Sequence, residues 1–223
     1  GGCPQLLEQA GFDPVPLGNA WGAMEMRAKA LDTKIEETWG AQVESAFEQA
    51  GVLPQGIAYE REKGRQLREW MEVERERVRI GIFADAARKL IQRATAEMQG
   101  GFRCSRCGAT LQVPPSFRAL NVPCAHCNTM NGFEPGMKMR MVEAFCVHPL
   151  CEEAAWRELM VLKASEKAYR DARPTTIYVL KDMERAQIQY YRAYLAARAR
   201  WLPDTTASID VELARRMRAF YDR

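Results

Sequence analysis

The sequence predicts a mainly α protein: an antiparallel bundle of long helices, arranged as coiled-coil hairpins, with a small β insert between the second helix and the third. Three observations carry this expectation. Apolar residues recur at steps of three and four over long stretches on both sides of the insert. Residues 102–134 lose that period and carry four Cys and three Pro. The segments between the helical stretches are short, which favours antiparallel neighbours. At 223 residues, 47% hydrophobic and 27% charged, the chain suffices for one ordinary core or two small ones and does not have a disordered composition.

The first long helix is expected from Leu17 to Ala50, where Leu17, Trp21, Met24, Ala28, Leu31, Ile35, Trp39, Val43, Ala46 and Ala50 form one stripe. Asn19 suits its N-cap and Gly51 its C′ position, with Pro54 blocking continuation. The near-heptad spacing calls for a packed neighbour, which Gly22, Ala28 and Gly40 would let approach closely. A second helix is expected from Arg65 to Gln99, roughly 50 Å long at 1.5 Å per residue. Its charged run Glu72–Arg77 reads as a solvated face of i,i+4 pairs or as a seam facing a partner helix. Gly81 marks a close contact or a kink in it.

Beyond Pro135-Gly136 the helical pattern resumes. A helix is expected from Met137 to Arg170, interrupted near Pro149, which lacks the N–H a helix needs. Another runs from Thr176 to Trp201, between Pro174 and Pro203-Asp204, and a short last one starts near Ser208. Asp210 and Glu212 early in that helix and Arg215, Arg216 and Arg218 late in it suit its dipole. The expected domains are therefore 1–100, with two long helices; 101–135, the cysteine-rich insert; and 136–223, a helical segment packing on the first.

Net charge is +3, too small to announce a nucleic-acid binder, but it is unevenly spread. Residues 1–60 carry 3 basic and 9 acidic groups, residues 61–100 carry 10 and 7, and residues 101–141 carry 5 and 1. The acidic start and the basic middle should attract each other, within or between chains. No charge-free stretch reaches the roughly 18 residues of a membrane span, and no basic start leads into an apolar run. The expectation is a cytoplasmic protein.

The strongest chemical signal is Cys104-Ser105-Arg106-Cys107, followed after 16 residues by Cys124-Ala125-His126-Cys127. Two such turns aim four sulfurs at one point, and Zn²⁺ accepts a tetrahedron of thiolates at about 2.3 Å without redox cost. Gly108 and Asn128 follow the second Cys of each pair and are the residue types that tolerate positive φ. Between the turns, Ala109, Leu111 and Val113 alternate as on a short strand, ended by Pro114-Pro115. Val122 leads into the second turn, and Met130–Phe133 reads as a partner strand. Disulfides or free thiols are the weaker alternatives in a reducing compartment. Iron suits the same ligands, but no redox motif accompanies them. Four protein ligands leave no open position for substrate, so one structural Zn²⁺ is expected.

Residues 102–133 also resemble a family, the small zinc ribbons. The resemblance rests on Cys104, Cys107, Gly108, Leu111, Val113, Pro114, Val122, Cys124 and Cys127. It implies a structural Zn²⁺ held by four Cys on two small β-hairpins, and it implies no single function. One departure is the second turn, which ends in Cys-Asn where the family has Cys-Gly. The full expectation is thus a mainly α bundle with an inserted β zinc ribbon.

Other candidates receive plainer readings. His126 is a surface residue of its turn. Cys146, His148 and Cys151, with Cys3, suggest a second metal site, but five residues on a helix set the two Cys about 140° apart, so buried free thiols are expected. Tyr190, Tyr191, Tyr194 and Trp201 read as core, and Met137, Met139 and Met141 as filler beneath the insert. No P-loop, dinucleotide glycine pattern, HExxH or GxSxG occurs. The expected function is a non-enzymatic scaffold or adaptor with a protein partner, a homo-oligomer included, and without membrane or small-molecule substrate. The alternative is nucleic-acid binding through Arg103, Arg106, Arg118, Lys138 and Arg140. Bound zinc tempers it, because four thiolates and Zn²⁺ add about −2 to that region.

Overall fold

A computed structural model describes residues 3–11, 13–99, 101–113, 116–172 and 177–222, without the side chains of 3, 4, 97–99, 137–139, 141 and 142. The expectations for Pro114-Pro115, Pro174 and Thr176, and for the side chains of Cys3, Met137, Lys138, Met139 and Met141, lie outside the described residues. The chain is mainly helical, with one small antiparallel sheet, and divides into two compact units, 1–82 and 83–223.

In the first unit, α1 (Cys3–Gln9) packs on the start of α2 (Val15–Thr38), burying Leu7 and Leu17. α2 begins before the expected Asn19 cap. The Val15 N–H donates to Asp13 Oδ1 at 2.9 Å, and Pro16 sits in the first turn, where its missing N–H costs no helical bond. A π segment, Trp39–Val43, follows directly and passes into α3 (Glu44–Gln49). The expected helix is therefore continuous but widened by one loose turn. Gly51 ends it as expected, at φ 71°, with Val52 N–H bonding Phe47 C=O and Gly51 N–H bonding Glu48 C=O, both at 3.0 Å. This paired closure satisfies carbonyls that the last turn would leave open.

α4 (Pro54–Gln99) starts eleven residues earlier than expected. The first helix does end before Pro54, and Pro54 also begins the next one, because its fixed φ suits the first helical position. Its early part belongs to the first unit, where Arg61, Arg68 and Arg75 pair with Glu44, Glu36 and Asp32. Rising numbers on one helix meet falling numbers on the other, so the two run antiparallel. The acidic start thus attracts the basic middle within the chain. The same helix also carries local pairs such as Lys63–Glu60 at 2.8 Å and Arg79–Glu76 at 2.9 Å. A tight apolar seam does not accompany them. Only Leu17 is buried in α2, and among the described residues nothing lies within 4 Å of a Cβ built at Gly22, Gly40 or Gly81. The close approaches expected at these glycines are absent there.

In the second unit, β1 (Leu120–Pro123) and β2 (Met130–Phe133) form an antiparallel ladder with Val122 opposite Asn131 and Leu120 opposite Phe133. The strand expected at 109–113 is reduced to one bridge, Arg103 to Thr110. Helices α5 (Met137–Ala154), α6 (Trp156–Asp171) and α8 (Ile209–Tyr221) pack on α7 (Ile177–Trp201), with a 3-10 turn at Pro203–Ser208. Tyr190 and Tyr194 are buried in this core as expected, while Tyr191 and Trp201 are half-buried. The expected interruption falls elsewhere: Pro149 lies inside α5, and the chain leaves helical geometry at the fully buried Ala155 (φ −101°, ψ 17°). That break lets both α5 and α6 face α7, burying Cys146 and Leu150 from one and Leu159 and Leu162 from the other.

A candidate four-cysteine metal centre

The two CxxC turns are built alike. In the first, Cys104 N–H bonds Ala109 C=O at 2.8 Å, and Gly108 N–H bonds Cys104 C=O at 3.0 Å. In the second, Cys124 N–H bonds Thr129 C=O at 3.0 Å, and Asn128 N–H bonds Cys124 C=O at 2.9 Å. Each turn closes through a left-handed residue, Gly108 at φ 73° and Asn128 at φ 54°. Asn reaches that region more readily than other side chains, so Cys-Asn adopts the same curl here as Cys-Gly.

These turns bring the sulfurs of Cys104, Cys107, Cys124 and Cys127 within 4.8 Å of one another. Cys104 Sγ lies 3.6 Å from Cys127 Sγ, and Cys107 Sγ lies 3.6 Å from Cys124 Sγ. A tetrahedron of thiolates at about 2.3 Å from a central ion has edges of roughly 3.8 Å. The four sulfurs therefore fit one metal ion. Cys104 and Cys124 are buried with Leu111 beneath them, and Phe102 and Phe133 meet edge-on at 5.3 Å to close the small core.

Local hydrogen bonds prepare some sulfurs for the charged form. The Cys107 backbone N–H holds the Cys104 thiol down to about 6, against the effect of burial. The Thr129 hydroxyl, 3.3 Å from Cys127 Sγ, and its backbone N–H lower Cys127. For Cys107 the Ala109 N–H also favours the thiolate, but the neighbouring sulfurs of Cys124 and Cys127 push it up to about 12. Four sulfurs this close resist ionising together unless a cation balances them.

Asn131 was not singled out by the sequence, yet it ties the two halves together. It is 5% exposed, on the inward face of β2. Its Oδ1 accepts from the Ser105 N–H at 2.9 Å and the Ser105 hydroxyl at 3.0 Å. Its Nδ2 donates to Thr129 C=O at 2.8 Å and lies 3.7 Å from Cys104 Sγ. The available signal was the alternation of β2: a polar residue stands two places before the inward Phe133.

Of the five basic candidates, the side chain of Lys138 lies outside the described residues, and the other four differ in what surrounds them. Arg103 and Arg106 are exposed on and beside the first turn, and His126 is exposed on the second. Arg118 pairs with Asp204 and, at 3.5 Å, with Glu143; Arg140 pairs with Glu134 at 2.6 Å. Cys146 and Cys151 are buried free thiols, raised to about 12 and about 11, in both cases chiefly by burial. His148 faces Tyr194 and Glu152 instead of joining them, and among the described residues the four-sulfur cluster is the one group with metal-ligating geometry. No described helix is long and apolar enough to cross a membrane. Compared with protein-family models, curated proteins and solved structures, the chain matches none.

Proposed function

We propose that the protein is a non-enzymatic helical adaptor of the cytoplasm, stabilised by one structural Zn²⁺ in a zinc ribbon at Cys104, Cys107, Cys124 and Cys127. The observation that carries the adaptor reading is an uncovered apolar stripe in the first unit. Leu31 and Ile35 on α2 are 53% and 43% exposed, and Leu67 and Trp70 on α4 are 57% and 59% exposed. A groove of about 350 Å³ runs along Leu31, Ile35, Trp39 and Val43. On α2 the exposed residues line that groove, and grouped exposed apolar surface marks an interaction site more often than a bare solvent face. Near-heptad spacing suits a helical partner, a second copy of the chain included. The zinc assignment is supported by an all-thiolate, closed, tetrahedral donor set.

The test needs no activity assay: light scattering of the Zn²⁺-loaded chain at high concentration, beside a Leu31→Gln/Ile35→Gln variant, and capture of partners from lysate with and without nuclease. Self-association or nuclease-resistant capture, lost in the variant, is expected. A monomer that captures nothing, or a variant identical to the wild type, overturns the adaptor reading. The exposed Arg103 and Arg106 favour a second reading, nucleic-acid binding, which requires salt-sensitive retention on DNA. The carboxylates on Arg118 and Arg140 weaken it, because they already offset half of the described basic side chains proposed to meet phosphate.

A further inference from the structure

A second polar cluster lies in the second unit, between α5 and α7. A cleft of about 350 Å³ is lined by Arg140, Glu143, Val147 and His148 on one side and by Tyr194 and Arg198 on the other. Its polar groups are not equally occupied. Glu152, nearly buried, lies 3.3 Å from His148 Nε2. His148 Nδ1 and the Tyr194 hydroxyl share a hydrogen bond at 2.7 Å. Those groups form a fixed wall. Glu143, the carboxylate in the lining, is engaged by Arg118, and Arg140 at the rim is engaged by Glu134.

Arg198 differs. It is half-buried and lines the cleft, and while its backbone C=O accepts from the Leu202 N–H, its guanidinium makes no hydrogen bond or ion pair with the described residues. A partly desolvated guanidinium offers five N–H donors in a planar fork that matches an oxyanion. Its half-buried position removes part of the water that would otherwise satisfy those donors. Val147 and the Tyr194 ring supply an apolar floor beside that charge. The volume suits a small ligand.

We infer that this cleft binds a small phosphate monoester, with the Arg198 guanidinium holding the phosphate and the apolar floor taking the organic group. Among the described residues lining the cleft there is no cysteine, serine or lysine, and the carboxylate and imidazole present are already engaged, so the reading is a ligand site and not a reaction centre. It is independent of the adaptor reading, which concerns the first unit.

The test is isothermal titration of the Zn²⁺-loaded full chain with phenyl phosphate and with inorganic phosphate. Saturable one-site binding is expected, tighter for phenyl phosphate, weakened at least tenfold in Arg198→Met and unchanged in Arg192→Met, an exposed arginine on the same helix. If Arg198→Met does not fold, Arg198→Lys keeps the charge and stem but loses the fork, and weaker binding is again expected. Competition by a short single-stranded oligonucleotide would trace the phosphate to a nucleic-acid backbone; failure to compete would trace it to a free monoester. Absence of saturable binding, or binding indifferent to residue 198, overturns the proposal.

Discussion

Replacing Asn131 by Ala tests whether the sulfur cluster depends on a residue that does not itself contact the ion. The substitution removes an acceptor from the Ser105 N–H and hydroxyl, and a donor from Thr129 C=O and the vicinity of Cys104 Sγ. Unsatisfied buried polar groups cost about 1–3 kcal/mol. Ser105 is exposed, so water can replace part of that loss, which places the expectation at roughly 1–2 kcal/mol. At about 1.4 kcal/mol per decade, Zn²⁺ affinity should fall roughly five- to thirtyfold. That agrees with the roughly ten- to hundredfold usual when partners of metal ligands are removed. Competition with a chromophoric chelator at neutral pH measures it. Asn131→Asp should be worse, because a carboxylate oxygen replaces the amide donor beside the Cys104 sulfur and the Thr129 carbonyl. An Asn131→Ala protein that holds Zn²⁺ as tightly as the wild type, or an Asp variant better than the Ala one, refutes the reasoning.

Two further predictions concern backbone and charge. At Gly108, φ 73°, a Cβ meets nothing within 4 Å, so Gly108→Ala should lose about 1–2 kcal/mol through backbone strain alone. Gly108→Asn should lose less, since Asn128 adopts the same conformation; chemical denaturation of the Zn²⁺-loaded chain checks both. Glu212 is held down to about 2, first by hydrogen bonds from Arg215, with Arg216 assisting. A carboxylate with a depressed folded pKa stabilises above its unfolded value and loses that contribution as pH falls through the folded one. Glu212→Gln should therefore lower Tm at pH 7, and the gap should narrow below pH 4.5 and close near pH 2. A gap that stays constant across that range would remove the ionic explanation.

Much of the metal centre was legible because it is local. Four Cys in two short turns, each followed by a residue tolerant of positive φ, specify where the sulfurs point with little help from elsewhere. Gly51 as a helix terminator was legible for the same reason. The start of α4 at Pro54 instead of Arg65 was not legible because proline both ends and begins helices, and only the chain that follows shows that it does both here. Asn19 lost to Asp13 because two capping residues compete within a few positions, and Pro14 and Pro16 favour the earlier start.

Residue types and spacing thus determined the helices, the two knuckles and their common sulfur cluster, since each depends on interactions a few residues apart. Tertiary structure alone decided the rest. It broke the chain at Ala155 rather than at Pro149, because α5 and α6 must both bury a face against α7. It also set Asn131 across from Ser105 and left the Leu31–Ile35 stripe uncovered. Burial is a property of what lies opposite, and no periodicity within one helix states whether a neighbour will be there.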